Sequence, residues 1–249
     1  MSFTGFTQIT TAQVNQTYST SNDVALGTLG ATRRGGLYAW TYNGAVALAT
    51  GLANIAAAKV SNDTNRSLAA VSNIAAGSTK ITVSGGGTVT ANQYAGGYAV
   101  INDGTGKGQV LEISGNSVDY SSGSDTHAID VYIHDSLPAA LSLSDTKVEL
   151  VYNPQYNVVV HPGSSSSYVC AGVNETAVAI NYYFWSKVRG VTSVLSDGII
   201  AKAAGGILTS NAVAGALLTE GTSTVTQRVG WAPEATVDTK YYAFYMSLI

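Results

Sequence analysis

Residues 98–114 read "YAVINDGTGKGQVLEIS", and the choice of fold turns on them. Three glycines and a lysine fall between Gly104 and Gly108, the vocabulary of a loop that cradles phosphate. A phosphate loop reads G-x-x-x-x-G-K-[ST]. With Gly106-Lys107 as its GK pair, a glycine is required at 101 and a Ser or Thr at 108, where Ile101 and Gly108 stand. The dinucleotide pattern G-x-G-x-x-G, begun at Gly104, ends on Gln109 and fails too. Both motifs need a helix after the loop, because its first N–H groups hold the phosphate. Here "QVLEI" follows, a strand pattern that turns again at "SGN". The stretch predicts a β-hairpin. Gly104, Gly106 and Gly108 supply positive φ, Asn102 and Asp103 suit the turn entry, and Lys107 is an exposed charge at the tip.

Strand patterns surround this hairpin. "TKITVSG" (79–85), "AIDVYIHD" (128–135), "TKVELVYN" (146–153) and "YNVVVHPGSSSSYVCAGV" (156–173) are β-branched and bounded by Gly, Ser or Asn turns. "ETAVAINYYFWSKVRG" (175–190) alternates, with Val178, Ile180, Tyr182 and Phe184 on one face and Asn181, Tyr183, Trp185 and Lys187 on the other. "YYAFYMSLI" (241–249) puts Tyr242, Phe244, Met246 and Leu248 on one face. "LYAWTYN" (37–43) is also strand-like, whereas "AVALATGLANIAAAKV" (45–60) fits a short helix or a strand. The expected fold is all-β, an antiparallel sandwich or barrel with an extended N-terminal arm and little helix. The expected organisation is an arm over 1–35, a β domain over 36–153, and a second β domain, or second half of one, over 154–249. The last boundary is the Asn153-Pro154 break.

Composition narrows the function. Charged residues are 11% of the chain, against roughly 25% in an average soluble domain. Hydrophobic residues at 45% are enough for a core. The net charge is −3, and only Arg33 and Arg34 are adjacent basic residues, so no stripe exists to neutralise a nucleic-acid backbone. Cys170 is the sole cysteine, which excludes an intrachain disulfide and a CxxC metal pair. The N-terminus lacks a basic start and an apolar h-region, and no apolar run reaches the roughly 18 residues of a membrane span.

The residues that could carry chemistry are few. Asp125, His127, Asp130, His134 and Asp135 are possible metal ligands. On a strand, however, Asp130 and His134 stand roughly 13 Å apart and cannot share one ion. His161 precedes Ser164–Ser167, but no G-x-S-x-G elbow is present and no carboxylate is placed to orient the base. Cys170, in "SYVCAGV", reads as a buried inert thiol. The aromatics of "YYFW" (182–185) divide between a core face and a face open to a subunit contact or a ligand. Neither a cofactor nor a metal is expected.

Several blocks carry a resemblance. "TVTANQYAGGYAVINDGTGKGQVLEI" (88–113), "NVVVHP" (157–162), "INYYFWSKVRGVTSVLSDG" (180–198) and "RVGWAPEATVDTKYYAFYMSLI" (228–249) resemble tailed-bacteriophage virion structural proteins of the head-decoration, or cement, type. The resemblance covers about residues 30–249. It implies a non-enzymatic capsid-surface protein of the virion, a homo-oligomer and often a trimer, made in the host cytoplasm without a signal peptide. Its partner would be the major capsid protein, with no nucleic acid or membrane involved. The expected contact residues are Arg33 and Arg34 in the arm and Tyr183 and Trp185 on the open aromatic face. The alternative is a host-recognition or adhesin module of tail or fibre that binds surface glycans through Tyr183 and Trp185.

Overall fold

The computed structural model describes residues 6–33, 35–44, 46–49, 53–55, 64–122, 125–162, 169–198, 205–208, 213–219, 228–237 and 240–248. The described residues are almost all β, with antiparallel sheets, a curled half-barrel among them, and one short helix. The chain divides into two compact units, one of Met1–Ala58 with Pro154–Ile249 and the other of Lys59–Asn153. One boundary thus lies at the Asn153-Pro154 break. The other lies at Ala58/Lys59, so residues 36–58 join the C-terminal segment rather than residues 59–153.

The inserted unit is a seven-stranded sheet. Its strands run in the order Tyr120–Ser122, Asp125–Ile133, Val110–Asn116, Tyr98–Asp103, Lys147–Val151 and Arg66–Ser67, and Lys80–Ser84 pairs with Asp125–Ile133. Period-two alternation supplies its core. Ile81 and Val83, Ala99 and Ile101, Leu111 and Ile113, Ile129 and Val131, and Val148 and Leu150 all point inward. Tyr98–Asp103 and Val110–Asn116 form the expected hairpin, paired at Tyr98↔Glu112 and Val100↔Val110. In its loop Gly104, Gly106 and Gly108 take φ of +73°, +86° and +92°. Asp145 accepts from both the backbone N–H and the hydroxyl of Thr105, at 3.2 and 2.9 Å. Asp145 thus takes up the Thr105 donors of the loop, and Lys107 is exposed.

The other unit holds a twelve-stranded sheet built around Tyr183–Leu195. That strand pairs with Leu37–Tyr42 from Tyr183↔Tyr42 to Arg189↔Leu37, and with Tyr241–Ser247 from Arg189↔Ser247 to Leu195↔Tyr241. Cys170–Asn174 joins it at Val173↔Lys187. Ala53–Ile55, left open between helix and strand by the sequence, is a strand paired with Val159–Val160 and Cys170–Val173. The final strand follows its alternation: Phe244 and Met246 are buried, while Tyr241, Ala243 and Tyr245 are exposed.

The N-terminal segment is largely extended, but it is not without a core role. Thr10 caps the single helical turn Thr11–Val14 through a capping box with Gln13. This sets Ile9 and Val14 against Tyr38, Trp40 and Trp185. Thr7–Gln8 pairs in parallel with Leu29–Ala31. At Gly30 a Cβ would lie 2.9 Å from both Ile9 and Trp185, so only glycine permits this approach.

Trp185 is therefore corrected from an open platform to a core residue. It is 4% exposed, and its ring lies 4.9 Å from that of Trp40. The expected alternation over 175–190 holds only from Tyr183, where the strand begins: Asn181 takes φ of +62° and Ile180 is exposed rather than inward, and at Phe184 and Trp185 both faces are covered. Phe184 packs with Leu48, Val158 and Val178 on one side, while the N-terminal segment covers Trp185 on the other.

Candidate functional site

The residues that line one cleft of the larger unit come from five places in the chain. Thr11 begins the helical turn, Thr32, Gly35 and Gly36 form the bend before Leu37–Tyr42, and Tyr38 follows. Glu175 stands just beyond Cys170–Asn174, and Lys187, Gly190 and Val191 lie on the central strand. Tyr245 closes one end, and the cleft encloses about 640 Å³. Gly190 is the local reason the cleft can form. It takes φ of +109° at the irregularity beside Arg189, and a Cβ there would lie 3.3 Å from the Gly36 Cα. A hollow lined by Gln8, Ile9, Thr10 and Arg33 shares Thr11 and Thr32 with the cleft and extends it.

The floor is a charged but compensated network. The Lys187 ammonium donates to Glu175 Oε1 at 2.5 Å and to the Val191 carbonyl at 2.6 Å. Thr192 donates to the same Oε1 at 3.2 Å, and the Tyr38 hydroxyl donates to Oε2 at 2.8 Å. The ammonium also stands 5.0 Å from the centre of the Tyr38 ring. Burial, and then the neighbouring Glu175 carboxylate, push the Tyr38 hydroxyl far above the ordinary tyrosine range. It therefore remains a donor throughout the physiological range. Glu175 is the one carboxylate lining the cleft among the described residues.

Beyond Tyr245 runs an exposed apolar row. Val191, Tyr245 and Trp231 are neighbours across three strands. The Trp231 and Tyr245 rings stack, with centroids 4.2 Å apart and planes 8° from parallel. Gly230 allows this, since a side chain there would run into the Tyr245 carbonyl. Trp231 is 43% exposed, and Tyr241 adds a further exposed ring on the same strand as Tyr245.

Of the residues singled out in the sequence, Arg33 is exposed and lines the extension of the cleft, while Arg34 lies outside the described residues. Tyr183 is half-buried, stacked on Trp40 and tilted against Tyr42. The acidic and histidine group of 125–135 is dispersed. Asp130 accepts from Lys80, Thr82 and Tyr120 at 3.1, 2.6 and 2.7 Å. Its burial would raise its pKa, but these hydrogen bonds and the Lys80 charge together hold it below the usual carboxylate range. His127 pairs instead with Asp119 at 2.9 Å. His161 is buried, which pushes its pKa down, and Ser164–Ser167 lie outside the described residues. Cys170 is buried and its thiol is pushed up to about 12. Sequence reading missed Glu175, Lys187, Tyr38, Tyr245 and Trp231 as a group. The one available signal was the outward face of 241–247, left over once Phe244 and Met246 were assigned to the core. Searches of family models, curated proteins and solved structures return no match to the chain.

Proposed function

We propose that the chain is a non-enzymatic virion protein of a tailed bacteriophage that decorates the outside of the assembled capsid and stabilises the head. The observation that carries this reading is the exposed row of Val191, Tyr245 and Trp231, with Tyr241 exposed further along the Tyr245 strand. Tryptophan and tyrosine dominate the energetic centres of protein interfaces, because they bury large rigid area at small entropic cost. The low charge and the blocks resembling phage head proteins point the same way. The partner is the major capsid protein, and the mechanism is linkage. A subunit that binds only the assembled lattice shifts the equilibrium toward it, and a homotrimer at a local symmetry axis adds avidity. Arg33, exposed in the bend before Leu37–Tyr42, offers the 1–35 segment a cationic contact to that partner.

The test is co-sedimentation with expanded empty capsids of the phage that encodes the chain. The double variant Trp231→Ser, Tyr241→Ser is expected to lose occupancy while its melting curve stays near that of the parent. Full decoration by this variant, or absence of the chain from purified virions by mass spectrometry, refutes the reading. Light scattering gives the subunit number, expected to be three.

A further inference from the structure

The geometry points to the cleft between Thr11, Tyr38, Glu175, Lys187 and Tyr245 as a binding site for a neutral saccharide. This goes beyond the capsid reading, with which it shares Val191 and Tyr245 at one end of the cleft.

The hydrogen-bonding capacity of the floor carries the argument. Glu175 Oε1 is engaged by Lys187 and Thr192, but Oε2 takes only the Tyr38 hydroxyl among the described residues. A carboxylate oxygen can accept a second hydrogen bond. Lys187 gives two of its three N–H donors, to Glu175 and to the Val191 carbonyl. The floor thus offers an ammonium donor and a carboxylate acceptor side by side, held by protein contacts. Adjacent hydroxyls on a sugar ring need this pairing, because each hydroxyl both donates and accepts. The Thr11 and Thr32 hydroxyls add neutral partners along the wall.

Charge selects against other ligands. Glu175 and Lys187 compensate one another, so the floor has no excess charge for an anion, and the carboxylate repels one. Arg33 stands only in the adjoining hollow. A free cation finds the carboxylate already held by Lys187. The aromatic end supplies what sugars use besides hydrogen bonds, an apolar wall against C–H faces, in Tyr245 braced by Trp231. A volume of about 640 Å³ suits a short saccharide. The adjoining hollow, joined through Thr11 and Thr32, gives a longer chain somewhere to continue.

The test uses the full-length protein with maltohexaose, cellohexaose and chitohexaose. The matching monosaccharides and a sulfated hexasaccharide serve as comparisons. Binding is read by saturation-transfer NMR at ligand concentrations of about 5 mM, appropriate to affinities near the millimolar range. At least one neutral hexasaccharide is expected to bind, more tightly than its monosaccharide. Glu175→Gln and Thr11→Val are expected to weaken it at least about tenfold. Thr11→Val, at an exposed position, keeps the test open if Glu175→Gln fails to fold. The inference is overturned if no neutral saccharide binds the folded parent, if only the sulfated one does, or if binding survives Thr11→Val and Glu175→Gln unchanged. Neither substitution touches Trp231 or Tyr241, so loss of capsid binding and loss of saccharide binding are separately visible.

Discussion

The contrast between Trp185→Ala and Trp231→Ala is the sharpest test of how the larger unit is built. Both residues lie in its sheet and both belong to aromatic pairs. Trp185 is 4% exposed and Trp231 is 43% exposed. Truncating a buried tryptophan costs about 3–5 kcal/mol. Trp185 is enclosed by Trp40, Ile9, Val14 and Gly30, so little can collapse into the space left behind. The upper half of that range, about 4–5 kcal/mol, is expected. In a unit of this size each kilocalorie moves the midpoint by about 2–4 °C, so Trp185→Ala should lower it by roughly 8–20 °C. Trp231→Ala removes a stack that is open to solvent and should cost about 0.5–1.5 kcal/mol. Urea unfolding followed by far-UV circular dichroism reads both, with the transition of the larger unit separated from that of the inserted one if they do not coincide. Acrylamide quenching supplies an independent check, since Trp231 alone of the three tryptophans should be readily quenched. A loss below about 1 kcal/mol for Trp185→Ala, or equal losses for both variants, would refute the claim that the N-terminal segment covers the Trp185 face.

Three further outcomes are expected. Gly30→Ala forces a methyl group to within 2.9 Å of Ile9 and Trp185 and should destabilise the larger unit. The loss, about 1–3 kcal/mol by chemical denaturation, should fall when Ile9→Ala is added. Lys187→Met leaves the Glu175 carboxylate without its ion-pair partner. Because the Glu175 side chain keeps 24% exposure, the cost should fall below that of a fully buried pair, at about 1–3 kcal/mol. Glu175→Gln in the same chain should recover part of it, as a double-mutant cycle would show. Burial lowers the pKa of His161, so the unfolded chain takes up the proton first as pH falls. The contribution of this group is complete above the unfolded value of about 6.5 and declines below it. Melting temperatures measured between about pH 7.5 and 5.5 should therefore depend less on pH in His161→Asn than in the parent.

Features decided within a few residues were legible in the sequence. Gly104, Gly106 and Gly108 marked a hairpin because positive φ is a local demand, and the missing helix after Gln109 removed the phosphate-loop reading without reference to the rest of the chain. The inward set Phe244 and Met246 was legible because alternation is itself local. Trp185 was not legible. Alternation says only that two faces exist, and the cover over its face comes from Ile9 and Val14, in a segment with no periodicity to announce it. The cleft was hidden for a related reason. Glu175 and Lys187 meet because their strands pair at Val173↔Lys187, and Tyr38 arrives from a third strand. No spacing encodes that meeting. The domain boundary at Ala58/Lys59 carries no compositional signal, and the strands that close the larger unit across it lie on both sides of the insertion.

That insertion imposes an order on synthesis. When residues 59–153 leave the ribosome, the preceding strands still lack Tyr183–Leu195, the partner around which their sheet is built. The inserted unit needs nothing that comes later, since its first and last strands, Arg66–Ser67 and Lys147–Val151, pair with each other. Once it has folded, its two ends are tied together. The loop that the larger unit must close then falls from roughly a hundred residues to about a fifth of that, a saving on the order of 1–2 kcal/mol of chain entropy. A nascent chain halted just after Asn153 has cleared the ribosome should therefore already protect the amides of Tyr98–Asp103 and Val110–Asn116 from exchange, while Leu37–Tyr42 exchanges freely until the final strand, Tyr241–Ser247, and its neighbours have emerged.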